Sequence, residues 1–221
     1  MNPHLQFDWP YLVRHIPDFG PAVLAALQLF GTALLFAFLG GVVLAVARLS
    51  RGPLRWASTA YVEFYRNTPL LVQLYFVFFG LPAAGIALTP FASGVLALAA
   101  QHAAFFAEIV RGGIQAITET QREAALALGM TPWTAFRLVV LPQAIRDAVP
   151  ALGNQLVLLV QDTSLVSVIG VIEIVRRGYI LAEQSAASFE MFLLVGAIYL
   201  VLSAVLSAGT GILERTYRVV R

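Results

Sequence analysis

Few side chains in this sequence are equipped for chemistry, and their spacing narrows what they could do. His4, His15 and His102 are scattered and share no ligand spacing, and there is no cysteine, so neither a metal site nor a disulfide framework is expected. No nucleophile stands in a motif with a base nearby, which argues against an enzyme. Every basic residue is arginine. Without a lysine the chain lacks the G-x-x-x-x-G-K-[ST] phosphate loop, so it is not expected to hydrolyse ATP or to bind a cofactor of its own. Three polar groupings remain in otherwise apolar surroundings. Glu108 and Arg111 lie one helical turn apart and can neutralise each other as a structural charge pair, with gating or a subunit contact as the alternative. Gln161, Asp162, Thr163 and Ser164 interrupt an apolar run. Such a break can line a pathway. Alternatively, Thr163 and Ser164 satisfy loosened backbone and Asp162 caps a half-helix. His102, beside Gln101, reads as a hydrogen-bonded interior group or as a pathway contact.

The elements that must position these groups follow from composition. Of 221 residues, 59% are hydrophobic and 12% charged, with mean hydropathy +0.81. A soluble domain carries about 25% charge. One core of this size cannot hide so much apolar surface, so lipid must solvate part of it. Runs long enough to cross a bilayer fall at 21–47, 57–84, 89–110, 148–171 and 189–212. The second starts polar, and Thr68 before Pro69 reads as an N-cap and first helical position, so this span is expected to bend or break there. The expectation is an all-α polytopic membrane bundle of about five transmembrane helices, one membrane domain over 20–215, preceded by an outer segment over 1–19 without a cleavable leader. Ser203, Ser207 and Gly211 recur every four residues on the fifth span, a stripe that permits close helix approach.

Eleven arginines (48, 51, 55, 66, 111, 122, 137, 146, 215, 218 and 221) fall on one side of these spans and three (14, 176 and 177) on the other. The positive-inside rule then puts the N-terminus outside and the C-terminus in the cytoplasm. The pI near 9.2 reflects this placement and not a nucleic-acid surface, since no basic stripe is interleaved with aromatics.

The segment 117–142 is too polar to span and too patterned to be a plain loop. Thr120 and Glu123 fit a capping box, and an Ala/Leu-rich helix follows from Glu123 to Leu128. Gly129 fits a C-cap, Thr131 and Pro132 open a second helix, and Leu141-Pro142 close it. Glu123-Ala124-Ala125, Gly129, Val139 and Leu141-Pro142 match the pattern E-A-A, three residues, G, nine residues, I, any residue, L-P, with valine in place of isoleucine. On these residues the chain resembles the permease subunits of binding-protein-dependent ABC importers. The segments 64–73 and 107–114, with Asp162-Thr163-Ser164-Leu165, are similar to the polar amino acid branch of that family, and the similarity extends over roughly 20–215.

The resemblance implies the rest. Two permease subunits, the same or homologous, surround a pathway in a bacterial inner membrane. Separate ATPase subunits bind ATP and magnesium, and a periplasmic substrate-binding protein delivers the substrate. The loop carrying Glu123, Ala124, Ala125, Gly129, Leu141 and Pro142 docks into an ATPase. The string Gln161 to Leu165 is most similar to members handling glutamate or aspartate. A self-contained channel or secondary carrier is the competing class, and it would need Asp162 or Glu108 as a coupling-ion site.

Overall fold

A computed structural model describes residues 7–117, 119–184 and 187–217. Among these residues there is no β-strand. The α-helices are α1 (Trp9–His15), α2 (Gly20–Leu49), α3 (Pro53–Asn67), α4 (Leu70–Tyr75), α5 (Pro90–Ala116), α6 (Glu119–Ala127), α7 (Pro132–Ala135), α8 (Leu141–Asp162), α9 (Ile174–Glu183) and α10 (Ser188–Tyr217). Short 3₁₀ or π turns extend several of them. Four continuous helical runs are long and apolar enough to cross a membrane, and a fifth span results if the broken pair α3 and α4 counts as one.

The helices are patterned for lipid. On α2 the buried residues are mostly small, namely Ala22, Ala26, Leu29, Ala33, Ala37, Gly41, Ala45 and Ala47, while Leu24, Leu35, Leu39 and Val43 are exposed. Small residues inward let backbones approach closely, and large apolar residues outward need a hydrocarbon solvent. On α10 only 11% of the most apolar stretch is buried within the chain.

The chain divides into two compact units. The first comprises 1–35, 69–98 and 157–205. One of its cores gathers Leu29, Leu74, Leu98, Leu159 and Val166, and a second gathers Phe19, Ile174, Leu181 and Met191. At Gly94 and at Gly178 a Cβ would sit 2.5 Å from Val166 and Val195 respectively, so glycine is what allows these helices their separation. The second unit comprises 36–68, 99–156 and 206–221, with a core of Ala45, Val62, Ala104 and Ala107. Its glycines again mark close approach. A Cβ on Gly41 would meet Phe106 at 2.6 Å, one on Gly113 the Ala144 carbonyl at 2.7 Å, and one on Gly153 Thr210 at 2.8 Å.

Several expected boundaries shift. The second span does break, but one residue later than the N-cap reading placed it. Thr68 is extended and donates its hydroxyl back to the Phe64 carbonyl at 2.8 Å, so it finishes α3, and Pro69 becomes the N-cap of α4. The helix that carries the fourth span begins well before 148, since helix is continuous from Pro132 to Ile169. The third extends to Ala116 and carries Arg111 inside it. The 1–19 segment is helical from Trp9 and runs without interruption into α2. Helix α9 lies where only a connection was expected. Its N-cap is Glu173, a residue type outside the usual Ser, Thr, Asp and Asn set, so the ordinary start signal is missing. Of the arginines counted for orientation, Arg218 and Arg221 lie outside the described residues, as does His4.

Candidate functional site

The loop segment lies in the second unit and is built from backbone chemistry. Helix α6 begins at Glu119, so Thr120 sits in its first turn and is not the N-cap the box pattern suggested. The helix stops where expected. Gly129 has φ +82, its N–H donates to the Leu126 carbonyl at 2.9 Å, and the Met130 N–H donates to the Ala125 carbonyl at 3.2 Å. These two bonds form the paired C-cap that needs a left-handed residue, which glycine adopts without penalty. Thr131 then caps α7, its hydroxyl accepting from the Thr134 N–H at 3.2 Å with Pro132 at the first position.

Leu141 and Pro142 do not end this second helix. A π turn over Phe136–Val140 links α7 to α8, and the Leu141 N–H donates to the Phe136 carbonyl. Proline has no N–H and its ring crowds the preceding turn. Widening that turn is how a helix carries a proline without stopping. The Gln143 amide adds a bond to the Val139 carbonyl at 2.8 Å. From Pro132 on, the loop is therefore continuous helix with α8 behind it. Its outer surface carries exposed Glu123 and Ala124 and exposed apolar side chains, Leu128 at 81% and Trp133 at 68%, while Ala125 is buried.

The Glu108–Arg111 pair forms, with Arg111 Nε donating to the carboxylate at 2.9 Å, but it is not a simple pair. Arg48, from the end of α2, also donates to Glu108, and Arg66, from the end of α3, stands 3.7 Å away. One carboxylate thus joins three helices. Arg48 and Arg66 are 60 and 42 residues from Glu108 in sequence, and no local spacing could have found them. The only signal was their common position at the arginine-rich ends of spans.

The polar break is real and belongs to the first unit. Helix α8 tightens into a 3₁₀ turn over Thr163–Ile169, which ends at Gly170 with φ +92. Gln161 is exposed and its amide donates to the Ser203 hydroxyl at 3.1 Å. Asp162 and Ser164 are half-buried. Thr163 is fully buried and donates to the Val160 carbonyl at 2.7 Å, so its hydroxyl satisfies backbone at the break. Nearby, the buried Glu173 accepts N–H bonds from Val175 and Arg176 and the Tyr199 hydroxyl at 2.8 Å. This network ties α9 to α10, and sequence reasoning missed it along with α9. His102 lies in the other unit, buried and 2.7 Å from the Gln155 amide.

Residues 21–219 match the family of binding-protein-dependent transport system inner membrane components. The chain belongs to this family. The permease is 36% identical over 219 residues to the glutamate/aspartate import permease protein GltK of Escherichia coli, covering 95% of this chain and 98% of the relative. It is 34% identical over 218 residues to the glutamine transport system permease protein GlnP of the same species, covering 97% and 100%. Among solved structures it superimposes on a crystal structure of an amino acid ABC transporter with histidines at TM-score 0.91 and 36% identity, covering 96% of this chain and all of that one. The permease is thus an inner-membrane component of an ABC transporter, of the membrane translocation class.

Proposed function

We propose that the permease pairs with a second permease subunit to form the pathway of an ATP-driven importer of polar amino acids, with glutamate or aspartate as its substrate class. The observation that carries this reading is the segment from α6 to α8. A capped turn at Gly129, an exposed apolar edge at Leu128 and Trp133, and unbroken helix through Leu141 and Pro142 make a knob on a stiff lever. That is what docking into an ATPase requires, with Glu123, Ala124 and Ala125 on the knob. ATP and magnesium stay with that partner. A periplasmic binding protein delivers the substrate to the opposite face. The arginine distribution supports an outer N-terminus and a cytoplasmic C-terminus.

Gln161, Asp162 and Ser164, at the break in the fourth span, line the pathway in this reading, with Thr163 shaping the break. The acidic substrate class rests on the Gln161 to Leu165 string and on the similarity to GltK. A secondary carrier would need Asp162 or Glu108 as its coupling-ion carboxylate, and of these Glu108 is already engaged by arginines. Uptake of labelled glutamate by the reconstituted complex, challenged with unlabelled amino acids, tests the substrate. Competition by aspartate and not by glutamine or histidine supports the acidic class. Glutamine competing best overturns it.

A further inference from the structure

The arginines around Glu108 are out of balance. Arg48, Arg66 and Arg111 face Glu108, and Glu63 acts on Arg111 as a second negative charge, so one cation is in surplus. The surplus is Arg66. Arg48 and Arg111 donate hydrogen bonds to the carboxylate. Among the described residues Arg66 makes none, only the 3.7 Å ion pair and a contact with the Phe105 ring at 5.7 Å. A guanidinium offers five donors in a fork that matches a phosphate. The Arg66 side chain is 36% exposed, against 11% for Arg48 behind it.

The depth of the cluster identifies the anion. Glu108 lies about 27 Å along α5 from Pro90, at the helical rise of ~1.5 Å per residue. On the span read over 89–110, Pro90 stands at one face of a hydrocarbon core about 30 Å thick, which puts the cluster at the other boundary, where lipid phosphates lie. Helix α3 is built for the same boundary, with Trp56 and Phe64 exposed at 76% and 58% on a helix that also carries Arg55 and Arg66.

We propose that Arg66, backed by Arg48 and Arg111, binds the phosphate of an anionic phospholipid, and that this lipid holds α3 at the membrane boundary. The orientation proposed above makes this the cytoplasmic leaflet, but the binding does not depend on that orientation. The test uses the complete transporter in nanodiscs of phosphatidylcholine, alone or mixed with phosphatidylglycerol. Both leaflets are then the same, so the result stands whichever way the chain is oriented and whichever substrate it carries. Native mass spectrometry reads the lipid retained after detergent exchange, and a thermal scan reads the unfolding midpoint. Phosphatidylglycerol is expected to be retained and to raise the midpoint. Arg66→Gln lowers retention about tenfold, as loss of a charge-assisted contact should, and removes the shift. Arg66→Lys keeps part of both, which separates a lost charge from a lost fold. Arg14→Gln changes neither. Equal retention by Arg66→Gln overturns the proposal. So does a midpoint shift in pure phosphatidylcholine on adding inorganic phosphate or glutamate, which would mark a site for a soluble anion.

Discussion

Gly129 is the residue where a small change should be most legible in function. A Cβ there would meet nothing within 4 Å, so side-chain bulk is not the obstacle, but φ is +82. A residue with a Cβ pays about 1–2 kcal/mol to sit in the left-handed region, with asparagine the best tolerated. Alanine should cost about 1 kcal/mol and shift the turn population roughly fivefold. Valine, branched at Cβ, should cost about 2 kcal/mol and shift it about thirtyfold. If only the capped turn docks, coupling should fall in the order Gly, Asn, Ala, Val. The assay is ATP hydrolysis stimulated by binding protein, measured beside uptake in the same proteoliposomes. Wild-type coupling by Gly129→Val would refute the backbone argument. Coupling lost equally in Asn and Val variants would assign the position to surface contact instead.

The neighbouring glycines Gly112 and Gly113 make a matched pair. A Cβ on Gly112 meets nothing within 4 Å while one on Gly113 meets the Ala144 carbonyl at 2.7 Å, so Gly112→Ala should raise the unfolding midpoint and Gly113→Ala should lower it by several degrees, for an overpacking cost of about 1–3 kcal/mol. Swapping Glu108 and Arg111 keeps the net charge but sets an arginine at 108 against Arg48 and Arg66, so the double variant should not recover wild-type stability, and recovery would show that the pair acts alone. Glu173→Ala removes the N-cap of α9 and leaves the Tyr199 hydroxyl without its acceptor, a loss of about 2–3 kcal/mol readable as a lower thermal midpoint. Asp162→Asn with wild-type uptake would remove that side chain from the pathway; reduced uptake at unchanged ATP binding is expected.

What could be read from the sequence was whatever is written locally. The long apolar runs, the glycine stop at 129, the Thr131-Pro132 start and the break near Pro69 each depend on a few adjacent residues whose backbone preferences act without tertiary help. The failures share the opposite cause. Pro142 looks like a terminator in one dimension, but a π turn absorbs it and the helix continues. Thr120 fits a capping box one step inside the helix it was meant to begin. Glu108 has an obvious partner at i+3, yet the fold adds Arg48 and Arg66 from two other helices.

As one part of an ATP-coupled importer, this chain should transport nothing without its partners. The most direct measurement is amino acid uptake by proteoliposomes containing the permease, with the ATPase, the second permease and the binding protein added or withheld one at a time. The predicted result is uptake only when a permease pair, the ATPase and the binding protein are present with ATP on the ATPase side. Uptake that persists without the ATPase, driven by an ion gradient, would contradict it.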